Sequence, residues 1–270
     1  MRLVRTVEEV RAALREPRAR GERIGLVPTM GAFHAGHLAL IRAAREASDL
    51  VVVSLFVNPS QFDAADDLAR YPRDEASDVR VAEAEGVDLL FAPAADELYP
   101  PDFDTWVEPG ELATVLEGAA RPGHFRGVAT VCTKLFSVVQ PDVAWFGQKD
   151  AQQVAVIRRV IADLNLPLEI RTVPTVRDAD GLALSSRNGF LSPVERVAAL
   201  ALPRALEAAA AAFRAAEATP EDSVEVARRV LDAQPGVETE YLALAGFGAP
   251  TLVAAIRVGS TRLIDNVVLA

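Results

Sequence analysis

Apolar and polar residues alternate along this chain in two rhythms. Short unbroken apolar runs, Ile24 to Val27 and Leu50 to Val57, have the length and branched content of strands buried on both faces. Longer stretches between them place apolar residues three and four apart, the spacing of an amphipathic helix. The pattern predicts a strand over Arg23 to Thr29, a helix over His37 to Ala47, a strand over Leu50 to Val57 and a helix over Glu75 to Glu85. Val87 to Ala92 is the next strand. A helix follows over Gly127 to Val139, with Val128, Val131, Cys132, Leu135 and Val138 on one face. A strand at Val143 to Phe146, a helix at Ala151 to Leu164 and a strand at Leu168 to Val176 complete this part.

Such alternation predicts an α/β domain with a doubly wound, Rossmann-like parallel sheet. The pattern then changes. Val194 to Ala218 is alanine-rich and helical, opened by Ser192-Pro193-Val194-Glu195, a capping box with proline at the first helical position. Pro220 to Ala233 is a second helix, and Thr239 to Ala245, Thr251 to Val258 and Thr261 to Val268 are strand-like. These predict a smaller C-terminal α+β domain with an antiparallel sheet. The boundary falls between Val173 and Asp180, giving domains over 1–175 and 176–270. No internal repeat or low-complexity linker interrupts them.

Right-handed crossovers bring the C-terminal ends of parallel strands to one edge, where ligands of such sheets bind. The polar clusters of the chain fall at those ends. Pro28-Thr29-Met30-Gly31-Ala32-Phe33-His34-Ala35-Gly36-His37 follows the first strand, and Asn58-Pro59-Ser60-Gln61-Phe62 the second. Gly147-Gln148-Lys149-Asp150 and Gly181-Leu182-Ala183-Leu184-Ser185-Ser186-Arg187-Asn188 follow later strands. Their expected convergence on one crevice carries more weight than any single motif. A helix start offers free N–H groups and partial positive charge, so it is suited to an anion, and glycines admit close approach. His-x-Gly-His in this setting is a nucleotide-binding signature, and two of the three histidines of the chain lie in it. A structural metal is the weaker explanation, because no Cys or His cluster lies near enough in sequence to complete a shell.

At 270 residues the chain holds one large domain or two modest ones. A net charge of −10 argues against a nucleic-acid surface. The single cysteine, Cys132, excludes an internal disulfide and points to a reducing compartment and a packing role. No signal peptide is expected, and no apolar stretch is long enough to span a membrane. Only Lys134 and Lys149 among the 28 basic residues are lysine. A lysine that persists against such a bias marks a place where arginine does not serve. Lys149 lies between strand and helix, whereas Lys134 lies within a helix where its stem can pack.

These segments, in this order and spacing, resemble the pantothenate synthetase family. The resemblance runs over nearly the whole length. It includes Phe56-Val57 with Asn58 to Phe62, Tyr71-Pro72-Arg73, Arg121-Pro122-Gly123-His124-Phe125-Arg126-Gly127 and Phe146 to Asp150. It implies a cytoplasmic, homodimeric, magnesium-requiring ligase that joins pantoate to β-alanine. ATP is consumed as a substrate through a pantoyl adenylate, giving pantothenate, AMP and pyrophosphate. No nucleic acid or membrane partner is implied. The catalytic residues would be His34, His37, Lys149, Ser185, Ser186 and Arg187. Met30, Gly31 and Gly36 with the two imidazoles would hold ATP. Lys149 would add a cation to the phosphates, Gly147 and Asp150 would hold the ribose, and Val176 would meet the adenine through its backbone. Gln148 stands where the family usually has glutamate, and Leu184 where many members have methionine; both would still line the nucleotide. Gln61 and Gln153 look like the pantoate pair, since each amide offers a donor and an acceptor to hydroxyls. Asn58, Tyr71, His124 and Arg126 would line the same pocket. Asp78 is the candidate magnesium ligand, although its acidic neighbours Asp74 and Glu75 suggest a solvated helix face.

Three other classes share part of this pattern. A nucleotidyltransferase for another cofactor precursor would share the histidine motif but not the Asn58 to Phe62 or Arg121 to Gly127 segments. An aminoacyl-tRNA synthetase fragment would need a basic RNA surface. A nucleotide sensor would bind ATP and release no pyrophosphate.

Overall fold

The computed structural model describes residues 1–62, 68–69 and 71–270, and it divides into two compact units. Unit 1 comprises residues 1–147 and 152–173; unit 2 comprises 148–151 and 174–270.

Unit 1 is built on six parallel strands: β1 (Arg2–Val4), β2 (Ile24–Thr29), β3 (Leu50–Leu55), β4 (Leu89–Phe91), β5 (Val143–Gly147) and β6 (Glu169–Val173). Their order is β1-β4-β3-β2-β5-β6. The order therefore reverses at β2 and β5, and the loop after β2 leaves the sheet at this switch point, the usual ligand edge of such sheets. Ile24, Leu26, Val27 and Val51 to Val53 are fully buried because helices cover both faces. One core packs α1 (Val7–Ala19) and the helix His124–Val139 on the sheet; the other packs α2 (Ala35–Ala47) and the helix Glu75–Ala84.

Unit 2 carries the antiparallel sheet β7 (Val237–Gly246), β8 (Pro250–Val258) and β9 (Thr261–Val268), in that order. Its core joins Leu252, Ala254 and Ile256 of β8 to Leu202, Ala205 and Leu206. Among the described residues no helix is long and apolar enough to cross a membrane.

The α/β architecture agrees with the sequence pattern, and three local features differ from it. The expected single helix over Val194 to Ala218 is two, Pro193–Ala199 and Ala201–Arg214. Pro203 is the cause: its ring would clash with the carbonyl of Ala199 and it has no N–H to donate there, so the chain restarts with Pro203 in a first turn. β1 and α1 were not anticipated; Thr6 and Glu9 close a capping box that opens α1. The strands expected over Leu50 to Val57 and Leu168 to Val176 are shorter, Leu50–Leu55 and Glu169–Val173.

Candidate active site

The turn after β2 is held by backbone chemistry. Thr29 donates its hydroxyl to the Ser54 carbonyl at 2.6 Å, and Gly31 donates its N–H to Thr29 Oγ1 at 3.3 Å. Gly31 and Ala32 both adopt left-handed backbone, φ +83° and +53°. A β-carbon on Gly31 would lie 2.6 Å from Leu55 Cδ1 and 2.7 Å from Asp78 Oδ2, so only glycine fits. The strain at Ala32 has a visible counterweight. The Asp78 carboxylate accepts the N–H of Ala32 at 2.9 Å and of Phe33 at 2.8 Å.

This placement corrects the expectation of a solvated acidic face, because Asp78 is 4 % exposed. The helix Glu75–Ala84 turns it inward onto the loop. Each carboxylate oxygen takes one amide, so Asp78 anchors the turn. Among the described residues no group of three His, Cys, Asp or Glu side chains could hold a metal ion.

Beyond that turn, His34 caps α2. Its Nδ1 accepts the Gly36 N–H at 3.1 Å, and His37 Nδ1 accepts the His34 N–H at 3.3 Å. The ring centroids stand 4.2 Å apart. Both Nδ1 atoms are therefore engaged by backbone N–H groups of the motif itself. The motif thus places two imidazoles at a helix N-terminus, where backbone dipoles already favour an anion.

Met30, Asn58 and Gln61 form one hydrogen-bonded group. Gln61 Nε2 donates to Met30 Sδ at 3.2 Å, and Asn58 Nδ2 donates to Gln61 Oε1 at 3.1 Å and to the Gly127 carbonyl at 3.2 Å. Gly127 lets its helix touch the Ser60–Gln61 backbone, where a β-carbon would collide. His124, expected to line the pantoate pocket, has both ring nitrogens engaged by protein groups. His124 Nδ1 donates to the Gln61 carbonyl at 2.9 Å, and Arg121 donates to His124 Nε2 at 3.3 Å. Both ring nitrogens are therefore used inside the protein, and His124 braces Gln61. Arg126 lies 3.1 Å from Glu108 and 4.5 Å over the Trp106 ring. Tyr71 packs edge-on to Phe62 at 5.6 Å. Gln153 is half-buried in the first turn of the helix Ala151–Asp163. Its neighbour Gln152, which drew no attention in the sequence, is buried and bonds Glu117, Leu112 and Val115 backbone.

Gly147 ends β5 in unit 1, while Gln148, Lys149 and Asp150 form a single 3₁₀ turn in unit 2. Lys149 Nζ lies 3.5 Å from Asp150 Oδ1. In the same unit the Val176 carbonyl accepts the Leu184 N–H at 2.9 Å, closing a small loop. Ser185 caps the 3₁₀ helix Ser186–Phe190, its Oγ accepting the Arg187 N–H at 3.3 Å. The base of this loop is fixed by Arg196, which reaches Asp178 at 2.6 Å and Asp180 at 2.8 Å. Lys134 sits over Phe103 at 4.5 Å, and burial lowers its pKa. Burial pushes the Cys132 thiol up to about 12, so it supplies no nucleophile near neutral pH.

A sheet that reverses its order beside a glycine turn and a His-x-Gly-His helix start defines a nucleotide-binding α/β protein of the histidine-motif type. The comparisons with known proteins narrow this class. The family profile for Pantoate-beta-alanine ligase matches residues 2–268, and the chain belongs to that family. Pantothenate synthetase 1 of Bradyrhizobium diazoefficiens is 54 % identical over 281 residues, covering 100 % of this chain and 99 % of that protein. The crystal structure of pantothenate synthetase from Thermus thermophilus superposes with a TM-score of 0.93 at 46 % identity, covering 100 % of this chain and 99 % of that one. The Francisella tularensis pantoate-beta-alanine ligase, complexed with beta-gamma ATP and β-alanine, gives 0.84 at 32 % identity, over 100 % and 98 % of the two chains.

Proposed function

We propose that this ligase activates pantoate with ATP, forming pantoyl adenylate and pyrophosphate, and then transfers the pantoyl group to β-alanine with release of AMP. The observation that carries this reading is the family match over residues 2–268. The presence of ATP and β-alanine ligands on the Francisella relative supports the same substrates here.

The chemistry needs no protein nucleophile, which suits a chain whose one cysteine is buried. A pantoate carboxylate oxygen attacks the α-phosphorus, and the bond to the pyrophosphate oxygen breaks. The amine of β-alanine then attacks the activated carbonyl carbon, AMP leaves with the bonding electron pair, and the amine gives up a proton. In this reading the imidazoles of His34 and His37 meet negative charge as it grows on the phosphate, a preorganised electrostatic role. Lys149, Ser185, Ser186 and Arg187 grip the phosphates. Gly147 and Asp150 hold the ribose, Gln148 and Leu184 flank it, and Val176 meets the adenine by its backbone. Gln61, Gln153, Asn58 and Tyr71 orient pantoate, with His124 acting through Gln61. Magnesium suits a triphosphate reaction. It would be held chiefly by the phosphates themselves, as is common for this ion, with Asp78 as the candidate protein ligand beside its contacts to the loop. A homodimer and a cytoplasmic location complete the proposal.

Incubation of the purified protein with ATP, magnesium, pantoate and β-alanine, with products identified by mass, tests it. Pantothenate and AMP are expected in equal amounts. ADP in place of AMP, or no pantothenate, would overturn the reading.

A further inference from the structure

Near the end of the chain, β9 carries two neighbouring buried polar residues that no sequence motif drew attention to. Asn266 and Asp265 are 5 % and 3 % exposed. The Asn266 side-chain amide donates to the carbonyl of Gln148 at 2.9 Å and to the carbonyl of Lys149 at 2.8 Å. Its Oδ1 accepts from the Gln148 side chain at 3.3 Å. One side chain therefore satisfies two consecutive carbonyls and fixes the peptide that bears the Lys149 side chain.

Asn266 is itself held in place. Its own N–H is donated to Asp265 Oδ1 at 2.8 Å. Asp265 in turn accepts both Nη atoms of Arg177, at 2.6 and 3.2 Å. Arg177 also donates to the Gly181 carbonyl at 3.2 Å and pairs by its backbone with Ala183. Successive side chains of a strand point to opposite faces, so one strand end grips the Lys149 turn with one residue and the 177–183 loop with the next. A charge pair with its carboxylate buried and its guanidinium half-buried adds little net stability against a hydrophobic replacement. What it supplies is a fixed geometry for the two loops.

We propose that Asn266 is a positioning residue for adenylation, acting through the Lys149 ammonium group. The proposal rests on the reading of Lys149 as a phosphate contact. A single well-ordered amide suffices because misplacement of a reacting or stabilising group by about 1 Å can cost on the order of 10²-fold in rate.

The test is pantoate-dependent exchange of labelled pyrophosphate into ATP, with β-alanine absent. Rate and ATP KM are measured for the intact protein, Asn266→Ala, Lys149→Ala and the double variant, with a thermal melt of each. Asn266→Ala is expected to lower the exchange rate by about 10- to 100-fold and to leave the pantoate KM unchanged. In the Lys149→Ala background the same substitution should change little, because the group it positions is gone. Equal loss in both backgrounds, or normal exchange by Asn266→Ala, overturns the proposal while leaving the role of Lys149 intact. Normal exchange by Lys149→Ala overturns both, and so is distinguishable. If Asn266→Ala does not fold, Asn266→Asp, of the same shape but without the donors, carries the test. Failure of both to fold would make Asn266 a structural residue and also overturn the proposal.

Discussion

Replacing Asp78 by asparagine removes one carboxylate oxygen from a loop that depends on two. In the native turn, Oδ2 takes the Ala32 N–H and Oδ1 takes the Phe33 N–H. Asparagine keeps one acceptor and presents an NH₂ group to the other amide, so one buried donor loses its partner. That loss costs about 1–3 kcal/mol. Ala32 adds to it, since its left-handed backbone is unfavourable for a residue with a β-carbon and persists only while the surroundings enforce it. At roughly 2–4 °C per kcal/mol for a chain of this size, the melting temperature should fall by about 2–12 °C. The larger effect should be on rate. The loop leads directly into His34 and His37, and their displacement should lower pyrophosphate exchange by on the order of 10²-fold. Exchange is measured across a magnesium titration, because loss of a magnesium ligand would be cured by more magnesium and loss of a loop anchor would not. Ala32→Gly, which relaxes the strained backbone, should recover part of the melting temperature of Asp78→Asn. An exchange rate equal to that of the unaltered protein, or full rescue by magnesium, would refute the reasoning.

His37→Ala should slow adenylation by roughly 10²- to 10⁴-fold with the fold retained, checked by single-turnover formation of the adenylate. Lys149→Ala should impair adenylation and Lys149→Arg should restore it only in part, since a guanidinium is a planar fork and an ammonium a compact charge; steady-state kinetics with ATP decides. Gln61→Ala and Gln153→Ala should raise the pantoate KM and leave ATP affinity, measured by calorimetry, almost unchanged. Arg196 holds the Asp180 carboxyl below the ordinary aspartate range, chiefly through a side-chain hydrogen bond. A lowered folded-state pKa gives stability that is fully present above the unfolded value and lost as pH falls through the folded one. Arg196→Gln should therefore narrow the difference in melting temperature between neutral and acidic pH, an effect a pH series of melts would show.

The strands β2, β3 and β5 were legible because burial on both faces writes an unbroken apolar run into the sequence. The helix His124–Val139 was legible through its one-sided stripe, and the small antiparallel sheet through three short strand-like segments. The motif loops were readable because glycine, histidine and lysine are chemically conspicuous. What stayed hidden depends on contacts across long stretches of chain. Asp78 looked solvated beside Asp74 and Glu75, and nothing local says that its side chain meets an amide 46 residues away. Asn266 lies 117 residues from the Lys149 carbonyl that it holds. His124 looked like a ligand because histidines often are, while its work is to tie Arg121 to the Gln61 carbonyl. Pro203 was visible, and the alanine-rich context around it hid the break that it forces.

The most direct test of the account is isotope exchange without the second substrate. Purified protein is mixed with ATP, labelled pyrophosphate, magnesium and pantoate, and β-alanine is withheld. The adenylate mechanism predicts label in ATP, none when pantoate is omitted, and diversion to pantothenate and AMP once β-alanine is added. No label in ATP with pantoate present, or release of ADP on addition of β-alanine, would contradict it.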